Sequence, residues 1–236
     1  MTPKRHSNIV TCAILMSAIV IGGWPAARSF AGVDVESTPA TNAKLDDILN
    51  ETQAHYSATR SFSADFVEKI ASPGGADRTR SGKVYYRKPG RMRWDFAAPE
   101  QETIVSDGTT VFSYDPDLNQ VIETPVAGLV KSPSATAFLL GIGDLRADFN
   151  VSIPGQAPND GLVYLLLAPK GGGSNAIVGL DPKTWNLSRL ILTDAAGDLT
   201  SLTFSNFDTN PTLADSLFKF AIPAGSDIVK SPGSNP

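Results

Sequence analysis

The stretch from Ser81 to Pro125 constrains the fold of this chain more than any other. It holds at least four short runs rich in β-branched and aromatic residues, and turn signals such as Pro89-Gly90, Asp107-Gly108 and Asp115-Pro116-Asp117 separate them. Short strands joined by tight turns form antiparallel meanders, because consecutive strands then pair with each other. The stretch therefore predicts an antiparallel sheet at the centre of the molecule.

Alternation along the run from Arg91 to Phe96 divides the predicted sheet into two faces. Met92, Trp94 and Phe96 point to one side, because successive side chains of a strand alternate. The two arginines and the aspartate of the same run point to the other side. In the preceding run, Lys88 stands at the end of an otherwise apolar row. One face is therefore aromatic and the other charged.

The flanking sequence predicts helices and more strands. An amphipathic helix is expected from Ala43 to Tyr56, followed by a half-buried strand from Ser61 to Ile70. Ser132 can cap a short apolar helix that reaches Gly141. Five strands are predicted between Ala147 and Phe207, and a last one from Phe218 to Ile222. About 10–11 strands with two or three helices predict one mainly β fold, a curved antiparallel sheet or open barrel with helices against its concave side.

The first 31 residues have the features of a secretory signal peptide. Lys4 and Arg5 precede an apolar run from Ile9 to Gly23, and Ser29-Phe30-Ala31 offers small residues at the positions that a signal peptidase reads. The run of about fifteen residues is shorter than the roughly twenty that span a bilayer. We expect cleavage and export, which leaves residues 32–236 as one domain with flexible ends. A retained anchor helix is the alternative.

Composition excludes several classes of function. Cys12 lies inside the apolar run and leaves with it, without the preceding small residues that mark a lipid attachment site. The remaining chain has no cysteine and one histidine, His55, so disulfides, thiolate metal sites and Ser-His or Cys-His catalysis are not expected. Loss of the three cations of the signal changes the net charge from −4 to −7, which disfavours nucleic acid as a partner. We predict no enzyme activity, cofactor or metal.

The inward faces carry more large apolar side chains than a thin core needs. These residues are Phe62, Phe66, Val84, Tyr86, Met92, Trp94, Phe96, Ile104, Phe138 and Leu139. They either fill a packed barrel or line a cavity for an apolar ligand, because a strongly curved sheet of ten or more strands has room for one.

The order of motifs in the central stretch is that of a known family. KPGRMRWDF, an acidic Pro-Glu-Gln loop, IVSDG and YDPDLNQV together resemble the periplasmic outer-membrane lipoprotein carrier family (LolA) of Gram-negative bacteria. The resemblance implies an unclosed β-barrel with a helical lid over a hydrophobic cavity. It also implies a periplasmic carrier, expected to be a monomer, that takes lipoprotein acyl chains from an inner-membrane ABC transporter to an outer-membrane receptor. The ten residues above would then line the cavity.

The resemblance also implies a role for Lys88. In the family, an arginine directly before the proline of this motif holds the lid by hydrogen bonds to the backbone of the lid helix, and Lys88 stands at that position. Lysine can donate to helix-end carbonyls but lacks the planar fork of arginine. Lys88 is thus expected to latch the segment from Ser132 to Gly141. A solvated lysine at a strand end is the alternative.

Other functions remain open from the sequence. A periplasmic carrier of a glycolipid or a terpenoid would have the same pattern of residues. The outer-membrane receptor of the same fold would need a lipidated N-terminal cysteine, and a lipid hydrolase would need a nucleophile with a base. Neither signature occurs in this chain.

Overall fold

The computed structural model describes residues 39–72, 75–129, 144–193 and 197–231. Their helical elements are α1 (Pro39–Ala58), α2 (Val126–Leu129), α3 (Leu145–Asp148) and a 3-10 turn (Asp215–Phe218). Their strands are β1 (Ser61–Ala71), β2 (Arg78–Arg87), β3 (Arg91–Phe96), β4 (Thr103–Asp107), β5 (Thr110–Asp115), β6 (Gln120–Pro125), β7 (Phe149–Ser152), β8 (Val163–Pro169), β9 (Ala176–Leu180), β10 (Leu187–Thr193), β11 (Leu199–Thr209) and β12 (Asp227–Lys230).

All twelve strands belong to one sheet, in the order β12-β6-β5-β4-β3-β2-β1-β11-β10-β9-β8-β7. Each neighbouring pair is antiparallel except β12 and β6, which run parallel. The order has two ends, β12 and β7, so within the described residues the sheet does not close on itself. The predicted mainly β, unclosed barrel is confirmed.

Three local predictions differ from the structure. Helix α1 begins at Pro39 rather than at Ala43, because proline fits the first helical position, where its missing N–H is not needed. Asp144 accepts hydrogen bonds from the next helical N–H groups and so starts α3, which replaces the first part of the strand predicted from Ala147.

The strand predicted at Phe218 to Ile222 is wrong, because this segment packs across the sheet instead of pairing with it. The predicted helix at 132–141 lies outside the described residues.

The concave face of the sheet is the buried one. Along β1, Phe62, Ala64, Phe66 and Glu68 face inward, and all but the half-buried Phe62 are buried. Gly82 of β2 pairs with Phe66, and a Cβ atom at Gly82 would lie 2.0 Å from a backbone oxygen and 2.9 Å from the Phe66 ring. Only glycine fits there, because the backbone of Asp95 and the Phe66 ring occupy the space that a side chain would need.

Helix α1 covers part of the concave face. Ile48, Leu49 and Thr52 are buried against the sheet. Near the middle of the helix, the Arg146 guanidinium of α3 donates to the Asp46 carboxylate at 2.7 Å and to the Asn50 side-chain oxygen at 2.9 Å. Within the described residues, no helix is both long and apolar enough to cross a membrane.

The C-terminal segment of residues 211–231, here called the strap, crosses the convex face of the sheet. The arginines that face outward on β2 and β3 hold it. Arg87 donates to the Leu213 carbonyl at 2.7 Å and pairs with Asp215, while Arg91 lies 3.3 Å from the same carboxylate. Phe218 is 2% exposed, and the strap ends in β12 beside β6. The charged face predicted for the central strands therefore binds another part of the chain.

Candidate apolar binding site

Seven aromatic rings on the concave face form a continuous cluster. They are Phe62, Phe66, Tyr86, Trp94, Phe96, Phe204 and Phe207. The closest pair of centroids, Phe66 and Trp94, is 4.7 Å apart, and the Phe62 and Tyr86 rings stack at 5.2 Å. Edge-to-face and offset contacts at such distances add stabilisation beyond the burial of area.

A small cavity lies within one end of this cluster. Its lining consists of Phe62, Val84, Tyr86, Met92, Trp94, Leu187, Phe204 and Phe207. Its volume of about 20 Å³ has room for a single water-sized group, whereas ligand pockets measure roughly 300–1,000 Å³. The walls are therefore nearly in contact, and any larger ligand requires them to separate.

Five of the ten residues predicted for this site line the cavity. Phe66 and Phe96 are buried just beyond it, and Phe66 contacts the Trp94 ring. Ile104 is buried on the same face, opposite Trp94 in the register between β3 and β4. Phe138 and Leu139 lie outside the described residues.

The opposite wall, formed by Leu187, Phe204 and Phe207, was not predicted from the sequence. Phe204 follows the alternation of β11 and could have been assigned to the inner face. Phe207 breaks that alternation, because the pairing with β1 shifts between Ser63 and Asp65 and Asn206 adopts a positive φ of 51°. A bulge of this kind inserts an extra residue and turns the next side chain to the other face.

Lys88 lies at the cavity end of β2 and contacts α1. Its Nζ donates to the backbone carbonyl of Tyr56 at 2.5 Å, in the last turn of the helix. A cation is favourable there, because the last carbonyls of a helix lack partners and carry partial negative charge. Burial lowers the pKa of Lys88 below its usual value. Its predicted partner, the segment 132–141, lies outside the described residues.

The same end of α1 also contacts the turn between β9 and β10. The Tyr56 side chain hydrogen-bonds the backbone of Leu187, a residue of the cavity wall, and burial raises the Tyr56 pKa. His55 hydrogen-bonds the Asn186 side chain, and partial burial lowers the pKa of His55. Together with Lys88, these contacts connect the two flanks of the sheet, β2 and β10, through one helix end.

Further along the inner face of β1 and β2, the aromatic cluster borders an ion cluster. Arg80 lies 2.6 Å from Glu68 and 2.7 Å from Glu102, and its guanidinium stacks 4.1 Å from the centroid of Phe96. Glu68 is 1% exposed and Arg80 is 8% exposed. Burial raises the pKa of Glu68, although the charge of Arg80 opposes this shift. Sequence reasoning missed this cluster, because a charged residue in an alternating run is normally assigned to solvent.

A family model and several known proteins that resemble this chain in sequence carry the same description. Residues 57–221 match the family model described as outer membrane lipoprotein carrier protein LolA. The outer-membrane lipoprotein carrier protein of Cupriavidus necator is 32% identical over 217 residues, which cover 92% of this chain and 100% of the relative. That of Methylococcus capsulatus is 35% identical over 175 residues, which cover 72% and 82%.

One solved structure of an uncharacterized conserved protein, from Thermus thermophilus, has a similar fold. Its TM-score is 0.50 at 13% identity, with 80% of this chain and 99% of that chain covered. At this identity the likeness concerns the fold alone.

Proposed function

Because this chain belongs to the outer-membrane lipoprotein carrier family, LolA, we propose that it carries lipoproteins through the periplasm by enclosing their acyl chains against the concave face of its sheet. The observation that supports this most directly is the cavity between the aromatic walls, which is lined by apolar side chains on both flanks. No covalent step is required, since the function is to keep apolar chains out of water.

The physical need for such a carrier follows from the hydrophobic effect. Each acyl methylene exposed to water costs about 0.8 kcal/mol, so a lipoprotein with several chains does not leave a membrane unaided. A carrier replaces the membrane as the apolar environment. It must also release the cargo, so its affinity has to be moderate and its cavity has to open and close.

The two walls of the cavity belong to different flanks of the sheet. Tyr86, Met92 and Trp94 come from β2 and β3, while Leu187 and Phe204 come from β10 and β11. β1 lies between the two flanks and pairs with β2 on one side and with β11 on the other. The cavity enlarges when the flanks separate, and the end of α1 ties them together, so loading displaces this helix end.

Lys88 is the latch in this mechanism. Its hydrogen bond to the Tyr56 carbonyl holds α1 against the β2 flank. The resemblance to the family extends this role to the segment 132–141. Release of the Lys88 contact frees the helix end, and its formation in the empty protein returns the cavity to its small volume.

Membership of the family and the N-terminal sequence support a proposal for the location and the partners. The chain is exported by a signal peptide of residues 1–31 and acts as a periplasmic monomer in a Gram-negative bacterium. It receives cargo from an inner-membrane ABC transporter and delivers it to an outer-membrane lipoprotein receptor.

The test is native mass spectrometry with lipid extraction on residues 32–236 purified from periplasm. We expect a one-to-one complex with a triacylated lipoprotein. A glycolipid or terpenoid in stoichiometric amount would instead indicate a carrier of another lipid. A protein that holds no lipid and binds no fluorescent acyl probe would contradict both.

A matched pair of variants on β1 strengthens this test. Phe62→Glu places a charge in the cavity wall, whereas Val67→Glu places it on the convex face, where Val67 is already 39% exposed. We expect the first to abolish cargo binding and the second to retain it. Equal cargo binding by both variants would mean that the cargo does not bind in this cavity.

A further inference from the structure

The cavity and the ion cluster lie at different depths on one inner face. In the register of β1 and β2, Phe62 pairs with Tyr86, Phe66 with Gly82, and Glu68 with Arg80. Six residues of strand rise roughly 20 Å, which is therefore the approximate separation between the first of these pairs and the last. A chain that enters between Phe62 and Tyr86 and follows the strands reaches the ion pair.

The layer between the two consists of tightly packed rings. Phe66 lies 4.7 Å from Trp94 and 5.0 Å from Phe96, measured between centroids. Behind Phe96 stands the Arg80 guanidinium, 4.1 Å from the ring centroid. Aromatic rings can shift to admit a methylene chain, since contacts between apolar groups have no strict direction. The guanidinium behind them is held by directional bonds.

The ion cluster is fixed from several sides. Arg80 donates to Glu68 and to Glu102, each at 2.7 Å. The backbone N–H of Phe96 donates to the Glu102 carbonyl at 3.0 Å, so the loop that carries Glu102 is attached to the end of β3. An acyl chain that displaced these partners would leave buried charges unpaired, which is strongly unfavourable.

We propose that Glu68, Arg80 and Glu102 form a polar floor that limits the length of acyl chain the carrier accepts. This inference rests on the proposed function and assigns the specificity of the same cavity. Methylenes that fit above the floor are buried and strengthen binding. Additional methylenes meet charged groups and stay in water or fold back, so they do not increase the affinity.

The proposal predicts a break in the dependence of affinity on chain length. Below the break, each added methylene strengthens binding about fourfold, the value that corresponds to full burial. Above the break, the affinity is constant or falls. The measurement is the dissociation constant for synthetic lipopeptides that share one peptide and differ only in acyl chain length.

The test variant is Glu68→Leu with Arg80→Met, which removes the ion pair and leaves apolar side chains of similar size. Glu102 is left beside solvent, which its side chain already reaches at 15% exposure. The matched control is Asp65→Leu with Lys83→Met. It removes an ion pair at 3.5 Å between the same two strands, but on the convex face.

We expect the break to move to longer chains in the test variant and to stay in place in the control. An unchanged break in the test variant, or an equal shift in both variants, overturns the floor. If wild type binds no lipopeptide of any length, the proposed function fails, and the inference fails with it. If the affinity of wild type rises with every added methylene and shows no break, the polar floor is overturned but the proposed function stands.

A second measurement needs only the wild-type chain and so does not depend on the folding of a variant. A photoreactive diazirine at the end of an acyl chain of break length should label Phe66, Phe96 or their immediate neighbours, as mapped by mass spectrometry. Labelling confined to β7–β9 would contradict the proposal.

Discussion

The inner face of β1 and β2 has two ends that are built differently. At one end, half-buried Phe62 and buried Tyr86 border a cavity of about 20 Å³. At the other end, Glu68 and Arg80 form a buried ion pair with hardly any exposure. Apolar contacts tolerate sliding and separation, whereas paired charges require fixed geometry. The same two strands thus support an end that can open and an end that holds the sheet together.

The largest expected effect comes from breaking the charged end. Arg80→Met leaves Glu68 buried without its partner, and loss of one member of a buried pair lowers the free energy of unfolding by about 3–5 kcal/mol. The measurement is urea unfolding followed by tryptophan fluorescence. The double variant with Glu68→Leu should recover most of the loss. A single variant as stable as wild type would mean that the pair does not fix this end.

Truncation at the aromatic end should have a smaller effect on stability and a larger one on binding. Phe62→Ala should lower the free energy of unfolding by about 1–2 kcal/mol, because Phe62 is only half buried, whereas a fully buried phenylalanine contributes roughly 3–5 kcal/mol. Removal of the ring also enlarges the cavity, so a bulky fluorescent acyl probe should bind more tightly. Phe66→Ala is the fully buried comparison. Equal losses in both variants would contradict the looser packing of Phe62 at the cavity end.

Lys88→Leu should change transfer more than stability. It removes one hydrogen bond to the Tyr56 carbonyl, which corresponds to about 1 kcal/mol. We expect impaired loading or release, measured as the rate at which an acyl probe exchanges between the carrier and vesicles. Lys88→Arg, which restores the donor, is the control. Unchanged exchange in the leucine variant would remove Lys88 from the mechanism.

The smallest effect is expected on the convex face and depends on pH. The hydrogen bond from Arg87 and the charge of Arg87 lower the pKa of Asp215. A carboxylate with a lowered folded-state pKa stabilises the protein above its unfolded-state value of about 4, and this contribution disappears as the pH falls through the lowered value. Asp215→Asn should thus reduce the urea midpoint at neutral pH and match wild type under strongly acidic conditions. A difference that persists in acid would contradict this assignment.

Much of the fold was predictable, because strand alternation and turn chemistry act locally. The run from Arg91 to Phe96 assigned its aromatic residues to the inner face, and Met92 and Trp94 do line the cavity. The outward arginines were also placed correctly, but nothing near them in sequence showed that they would bind a strap more than a hundred residues away. Such long-range contacts depend on the tertiary path of the chain.

The parts of the site that sequence reasoning missed have two physical causes. Phe207 faces the cavity because of a bulge, and bulges change the parity on which alternation depends. Glu68 and Arg80 are buried because they neutralise each other, and a single charged residue in a strand gives no sign of a partner in the next one. The signal peptide, the latch on segment 132–141 and the membrane partners stay predictions.

The pairing of β1 with β11 affects how the chain folds as it is synthesised. Phe66 and Phe204 are partners at the centre of the sheet, although they are well over a hundred residues apart in the chain. Contacts of such separation slow folding, because a long loop must close before they form. Because synthesis proceeds from the N-terminus, β1 through β6 are available for pairing first, and one edge of β1 stays exposed until β11 is made. We expect this partly folded form to be the one that aggregates, because an exposed strand edge can pair with another chain.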